Sequence, residues 1–131
     1  MTENLQGKKL IILEDDATNV FLLKALLENA QTDAVYCTTV DEFLDVYRGD
    51  KDIVLLDIRV PGDKDGIDLL KEVKKRDPNQ PVIMQSAFTD RADECKKLGA
   101  DAFIEKPDVF HSLLPTIRRL LNKLKNKNGG I

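Results

Sequence analysis

Five short apolar runs that alternate with stretches of helical periodicity constrain the fold of this chain most strongly. Runs of three to five apolar residues without alternation are typical of strands buried on both faces of a parallel sheet. The predicted strands cover residues 10–13, 34–38, 53–56, 82–84 and 102–104. The predicted helices cover residues 17–29, 40–48, 67–76, 90–98 and 110–125. A β-α unit repeated five times predicts an α/β fold, a doubly wound five-stranded parallel sheet with helices on both faces.

Two helices carry further local signals. Thr39 and Glu42 fit a capping box, in which the threonine accepts a backbone N–H and the glutamate reaches back. Gly49 is a plausible stop for the helix that Thr39 opens. Pro115 falls early in the last helix, where a missing N–H is tolerated in the first turn but would cause a kink further in.

The length and charge of the chain restrict its class. With 131 residues, one domain is expected, and we place it at residues 9–126 between a flexible N-terminus at 1–8 and a frayed tail at 127–131. The net charge of −3 argues against a nucleic-acid-binding domain. No stretch is apolar enough to span a membrane and no signal-peptide pattern opens the chain, so we expect a soluble cytoplasmic protein. Cys37 and Cys95 match no metal or redox spacing, which favours two reduced, packed thiols.

Polar residues stand where four of the predicted strands end. In order along the chain they are Glu14-Asp15-Asp16, Asp57, Ser86 and Lys106-Pro107. Because the carboxyl ends of parallel strands share one edge of a sheet, we expect these residues to form one site. Three carboxylates, a hydroxyl and an ammonium gathered there would suit a divalent metal beside a phosphoryl group on Asp57.

The residue types fit that chemistry. Mg²⁺ prefers oxygen ligands and is usually held by one or two carboxylates plus phosphate oxygens, which Glu14, Asp15 and Asp57 could supply. Aspartate is also an established nucleophile that forms an aspartyl phosphate. Lys106 would offset charge on the phosphoryl oxygens, and Ser86 offers a hydroxyl donor. Asp16 is better explained as a residue that starts a helix, because acids favour helix N-termini.

The ordered residues resemble the receiver domain of bacterial two-component response regulators, of the single-domain chemotaxis type. The resemblance runs from residue 9 to about residue 125. The matching stretches are residues 10–16, residues 53–57 with Pro61 and Asp65-Gly66 behind them, Ser86-Ala87, residues 98–101 and residues 103–107. It implies a flavodoxin-like sheet with strand order 2-1-3-4-5.

The resemblance also implies a metal site. Asp57 is then the phosphoacceptor, and Glu14 and Asp15 are the acids that bind Mg²⁺ (or Mn²⁺). Asp16 is the alternative acid if the register slips by one residue. The backbone carbonyl of Arg59 would complete the protein ligands, and no organic cofactor is implied.

A conformational switch is implied as well. Ser86 sits at the family's Ser/Thr switch position and Phe103 at its aromatic switch position, while Lys106 pairs with a phosphoryl oxygen. Ala87 flanks this site, and the peptide bond before Pro107 is expected to be cis. Phosphorylation would change the face formed by helix 4, strand 5 and helix 5.

The implied partners are proteins. A histidine kinase or histidine phosphotransfer protein supplies the phosphoryl group, and an unknown downstream protein reads the result, with no nucleic acid or membrane involved. The chain would be a signalling phosphoacceptor rather than an enzyme, and a monomer or a weak phosphorylation-dependent dimer.

The resemblance also implies that hydrolysis of the aspartyl phosphate returns the domain to its starting state. Arg59 and Phe88 would flank the path of the attacking water, and the bulk of Phe88 is expected to slow that step.

Three departures, one of them Pro115 in the last helix, and three rival interpretations accompany the resemblance. The loop between Asp57 and Asp65 looks one residue longer than usual, and the segment from Ser86 to Gly99 about two residues shorter. One rival is a degenerate receiver that acts as a phosphorylation-independent interaction module. A phosphatase of the haloacid dehalogenase type would need an aspartate where Arg59 stands. A flavodoxin-like cofactor binder would need glycines in the acidic first β-α turn.

Overall fold

The computed structural model describes the backbone of residues 4–129. Five strands alternate with five α-helices along the chain. Its strands are β1 (Lys9–Leu13), β2 (Asp33–Cys37), β3 (Ile53–Asp57), β4 (Val82–Ser86) and β5 (Ala102–Glu105). Its helices are α1 (Ala17–Asn29), α2 (Val40–Val46), α3 (Gly66–Arg76), α4 (Ala92–Lys97) and α5 (Val109–Gly129), with a 3₁₀ turn at Lys106–Asp108. All predicted elements are present, most within one or two residues of the predicted bounds.

The five strands form one parallel sheet in the order β2-β1-β3-β4-β5. This order confirms the prediction. It places β1 and β3 side by side in the middle, and the register pairs Asp57 with Gln85 and Ser86 with Glu105. The carboxyl ends of β1, β3, β4 and β5 therefore meet at one edge, where the polar residues were expected to gather.

Two apolar clusters cover the two faces of the sheet. Alternate residues of each strand point to opposite faces, so Leu10 and Ile12 join a cluster with α1 and α5, whereas Ile11 and Leu13 join one with α2, α3 and α4. The central strands β3 and β4 are buried along their whole length. Their continuous apolar sequence follows from this double coverage.

The segment before β1 is packed to a greater extent than expected. Leu5 is 3% exposed and belongs to the cluster under α1 and α5. The Gly7 N–H donates to the Gln31 carbonyl at 2.8 Å. This packing extends the folded part beyond the predicted start at residue 9, and residues 1–3 of the predicted flexible segment lie outside the described residues.

The N-terminal caps of two helices differ from prediction. Thr39 caps α2 by accepting the Glu42 N–H at 3.1 Å, but Glu42 accepts from Thr38 and not from Thr39, so the predicted capping box is incomplete. A complete box forms at α3, between Asp65 and Asp68. Both capping residues have an extended backbone, and the two boxes differ in whether the acidic side chain reaches the N–H of the capping residue itself, which the sequence spacing alone does not show.

Of the last two helices, α4 agrees with expectation and α5 departs from it. α4 has six residues, which agrees with the predicted shortening of this segment. α5 continues unbroken through Pro115 in its second turn, where the ring removes a hydrogen bond to the carbonyl of His111. It runs to Gly129 instead of ending near residue 125; of the predicted frayed tail, residues 130 and 131 lie outside the described residues. No helix within residues 4–129 is long and apolar enough to cross a membrane.

Candidate phosphoacceptor and metal site

The sheet brings the predicted polar residues to one edge. Glu14 follows β1, Asp57 ends β3, Ser86 ends β4, and Lys106 follows β5. Glu14, Asp57 and Ser86 are only 1%, 2% and 4% exposed. Ionised side chains are rarely this buried unless they are paired or bind a ligand. The burial therefore points to a built site instead of a solvated loop.

Lys106 neutralises part of the acidic charge. Its ammonium nitrogen lies 2.5 Å from Asp57 Oδ2 and 3.2 Å from Glu14 Oε1. Burial acts to lower the pKa of Lys106, but the contacts with Asp57 and Glu14 outweigh it, so the pKa is raised. Lys106 consequently keeps its positive charge at neutral pH and holds it between two carboxylates.

Glu14 is held by a further set of donors. Its carboxylate accepts from the Asp16 N–H at 3.1 Å and from the Gln85 amide at 3.4 Å. Burial raises the pKa of Glu14, and the nearby Asp57 carboxylate raises it further, against the opposing effects of the Asp16 N–H and of Lys106. Sequence reasoning missed Gln85, although a single polar residue inside an otherwise apolar buried strand could have identified it.

The two carboxylate oxygens of Asp57 have different partners. Oδ1 accepts the Arg59 N–H at 3.2 Å. Oδ2 touches the Lys106 ammonium as an ion pair but has no aligned hydrogen-bond donor among the described residues. A buried carboxylate oxygen without an aligned donor can still bind a metal cation or a hydrogen-bond donor.

Gly66 supports the backbone of Asp57. Its N–H donates to the Ile58 carbonyl at 2.8 Å. A Cβ atom at this position would overlap the Asp57 carbonyl oxygen and lie 2.9 Å from the Ile58 Cα. The close approach of the two backbones therefore requires glycine here.

Three carboxylates are close enough to hold one metal ion. One oxygen each from Glu14, Asp15 and Asp57 lies within 4.8 Å of the others. An all-oxygen donor set, in which Asp57 Oδ2 has no aligned hydrogen-bond donor, suits a hard divalent cation. Asp16 instead caps α1 by accepting the Asn19 N–H at 2.9 Å, which agrees with its interpretation as a helix-starting residue. The role of the Arg59 carbonyl stays a prediction.

The remaining predicted residues surround this cluster. Ser86 Oγ accepts the Phe88 N–H at 3.2 Å, which leaves its own hydroxyl proton available. Phe103 is partly buried and packs against the cluster under α2, α3 and α4. Ala87 is exposed. The Lys106–Pro107 peptide is trans, so the expected cis bond is absent; trans is the intrinsically favoured isomer before proline, and the 3₁₀ turn at residues 106–108 accommodates it.

Comparisons with known proteins agree on one family. The family model "Response regulator receiver domain" matches residues 10–118. The transcriptional regulatory protein CpxR of Escherichia coli is 32% identical over 117 residues, which are 88% of this chain and 50% of CpxR. The chain therefore spans about half the length of the curated relatives it matches.

Solved structures agree as well. A response regulator receiver domain protein of Clostridium thermocellum is 27% identical with a TM-score of 0.83, covering 90% of this chain and 97% of its own. A CheY-like receiver domain protein of Methanospirillum hungatei is 26% identical with a TM-score of 0.84, covering 93% of this chain and 99% of its own.

Proposed function

The chain belongs to the response regulator receiver domain family, and we propose that it accepts a phosphoryl group on Asp57 from a phosphohistidine of a kinase or phosphotransfer protein. The observation that carries this proposal is the state of Asp57. It is buried beside Lys106, it has one oxygen without an aligned donor, and two further carboxylates lie within metal-binding reach.

In the proposed transfer, an Asp57 carboxylate oxygen forms a bond to phosphorus as the P–N bond to the donor imidazole breaks. The electron pair of that bond stays on the imidazole nitrogen, which takes up a proton. Lys106 faces the developing charge on the phosphoryl oxygens, and Ser86 donates its hydroxyl proton to one of them. Gln85 and the Asp16 N–H keep Glu14 in place during the reaction.

Glu14, Asp15 and Asp57, with the Arg59 carbonyl, would hold Mg²⁺ or Mn²⁺. When bound, the cation supplies positive charge next to the phosphoryl oxygens. The fit rests on the oxygen-only donor set and on the spare capacity of Asp57 Oδ2.

The proposed output is a change in the face formed by α4, β5 and α5, read by a downstream protein in the cytoplasm. Ser86 and Phe103 would act as the switch residues, the first bonding the phosphoryl group and the second turning inward. The described domain would contact neither nucleic acid nor membrane, and would stay a monomer or form a weak dimer on phosphorylation. Its only reactions would be phosphoryl acceptance and the hydrolysis that resets it.

Intact-mass spectrometry after incubation with acetyl phosphate tests the proposal. The wild type should gain a single phosphoryl adduct that requires Mg²⁺, and Asp57→Asn should gain none. Asp16→Asn is the matched control and should keep the adduct, because the Asp16 side chain caps α1 and only its backbone N–H, which asparagine retains, contacts Glu14. Absence of any adduct on the wild type would favour the phosphorylation-independent interaction module.

A further inference from the structure

A groove separates α2 from α3 on the face of the sheet opposite α1 and α5. One half has a volume of about 370 Å³ and lies between the start of α2 and the loop at residues 61–64. The other half, of about 270 Å³, continues between the two helices. Val40 and Lys64 line both halves, so the two form one continuous groove. We call it the α2–α3 groove.

The two helices are joined at their C-terminal ends only. The hydroxyl of Tyr47, which follows α2, makes a hydrogen bond of 2.9 Å with the carboxylate of Asp77, which follows α3. Among the side chains of residues 4–126, no hydrogen bond or ion pair joins the N-terminal halves of the two helices. The groove therefore stays open to solvent along its length.

The floor of the groove is apolar and its rim is acidic. Val40 and Leu69 are 3% and 0% exposed, and Leu44 is half-buried. The rim has four carboxylates and one ammonium, which belong to Asp41, Asp63, Asp68, Glu72 and Lys64. Its net charge of −3 equals the net charge of the whole chain, so the remaining charges balance each other.

Three of the four carboxylates lack a cation to pair with. Glu72 pairs with Arg76 of its own helix at 3.0 Å. In the part of the chain whose side chains are described, no ion pair involves Asp41, Asp63 or Asp68. Carboxylates that the domain itself does not neutralise create a negative potential over the groove, which attracts cations.

Two other grooves, at the amino edge of the sheet, have linings of mixed charge. The charged residues of the first are Lys74, Lys123 and Asp101. Those of the second are Lys51, Arg76, Asp52 and Asp77. Among these three grooves, the acidic bias is confined to the one between α2 and α3.

We propose that the α2–α3 groove docks a cationic amphipathic helix of a partner protein. The helix lays its apolar side chains on the floor of the groove, and its lysine or arginine side chains face the three unpaired carboxylates. This surface is separate from the face of α4, β5 and α5 proposed above for the output. The inference does not rest on phosphorylation of Asp57.

The probe is a synthetic helical peptide of leucine and lysine, about four turns or roughly 14 residues long, with its leucines on one face. It is titrated into the unphosphorylated full chain labelled with ¹⁵N, and amide shifts are followed by NMR. The shifts should saturate and should be largest at residues 39–46 and 61–72. A peptide with glutamate in place of lysine should give no saturable shift.

Paired charge variants separate the groove from general acidity. Asp41→Asn combined with Asp63→Asn should weaken binding of the lysine peptide about three- to tenfold, because two exposed ion pairs are lost. Asp93→Asn combined with Asp90→Asn is the matched control. It also changes one aspartate in the first turn of a helix and one in a loop, both exposed, and should bind like wild type.

A second pair of variants tests the apolar floor. Leu44→Ser removes an apolar side chain from the groove and should also weaken binding. Val46→Ser is the control, because Val46 is 41% exposed on the same helix but does not line the groove. Circular dichroism checks that each variant is folded. The charge variants change exposed residues only, so they decide the question even if Leu44→Ser unfolds the protein.

Three results would overturn the docking proposal. These are the absence of a saturable shift with the lysine peptide, shifts centred on other elements of the fold, and equal affinity of the groove and control charge variants. Failure of the acetyl phosphate experiment described above would instead overturn the proposed function and leave the groove unaffected, so the two failures are distinguishable.

Discussion

Lys106 is the counter-charge to two carboxylates that are almost wholly buried. Its ammonium lies between Asp57 and Glu14, and its side chain keeps 23% exposure. Removing one partner of a buried ion group leaves the others uncompensated, which costs more free energy than the pair itself contributes. The balance of charge at this edge therefore depends on one residue.

Lys106→Met should lower the free energy of unfolding in EDTA by about 1–3 kcal/mol, because Asp57 and Glu14 then repel each other without a cation. Mg²⁺ should recover most of this loss, since a cation held by the same carboxylates replaces the missing charge. Urea unfolding with EDTA or with Mg²⁺ measures both effects. Lys75→Met, an exposed lysine on α3, is the control; equal stability of Lys106→Met and wild type in EDTA would contradict the account.

Gly66→Ala should destabilise the protein by about 1–3 kcal/mol, because backbone atoms of Asp57 and Ile58 cannot move aside for the new methyl group. It should also slow phosphorylation by displacing Asp57. Gly62→Ala separates this steric effect from backbone strain. Gly62 has a φ of +111° but nothing within 4 Å of the added carbon, so this control should leave the phosphorylation rate near wild type even where it costs stability. Equal phosphorylation rates in Gly66→Ala and wild type would count against the steric argument.

Much of the site was predictable from the order of residue types along the chain. Glu14, Asp57, Ser86 and Lys106 were found because polar residues that end parallel strands must meet at one edge. The contact of Gln85 with Glu14 was not predicted, because Gln85 lies inside β4 and the prediction considered only residues at strand ends. The trans peptide at Pro107 was not predictable from the sequence, since either isomer is within about 1 kcal/mol before folding selects one.

Among the elements, α4 is the helix with the fewest stabilising contacts that the structure describes. It has six residues, buries only Cys95, and lacks a side-chain cap at Arg91. By contrast, α3 has eleven residues, five of them buried, and a complete capping box. Short helices gain little from their own hydrogen bonds, so α4 depends on few packing contacts.

Amide hydrogen exchange should show this contrast. The amides of α4 should exchange at least about tenfold faster than those in the middle of α3, because local opening costs less free energy where fewer apolar contacts are lost. Exchange followed by peptide mass spectrometry measures it on the unmodified protein. Equal protection of the two helices would contradict the view that α4 is held only weakly.

Element positions were predictable because the parallel sheet is buried on both faces and leaves continuous apolar runs. The exceptions have local causes. α5 extends past its predicted end because its C-terminal sequence lacks a strong stop signal before Gly129. The predicted capping box at Thr39 is incomplete because Glu42 accepts the Thr38 N–H instead of the Thr39 N–H.

At the scale of the whole molecule, the N-terminal segment contributes to the core. Leu5 lies outside the sheet in sequence but is 3% exposed in the cluster under α1 and α5. Hydrophobic periodicity does not predict the burial of Leu5, since a single apolar residue among polar neighbours forms no pattern. The domain thus includes residues that the sequence suggested were loose.

Leu5→Ala should reduce the free energy of unfolding by about 2–3 kcal/mol, the usual cost of truncating a buried leucine. Leu22→Ala is the matched control, because Leu22 is 41% exposed on α1, and it should cost less than about 1 kcal/mol. Denaturant unfolding of the three proteins gives the comparison. Equal stability of Leu5→Ala and Leu22→Ala would mean that the segment before β1 adds nothing to the core.

The central claim is that Asp57 carries the phosphoryl group, and its location can be read directly. The protein is phosphorylated with acetyl phosphate and Mg²⁺, reduced with borohydride, which converts an aspartyl phosphate to homoserine, and digested with trypsin. The account predicts homoserine at position 57 in the peptide spanning residues 52–59, with Asp52 of the same peptide unchanged. Homoserine at Asp52, Asp15 or any other position, with Asp57 intact, would contradict it.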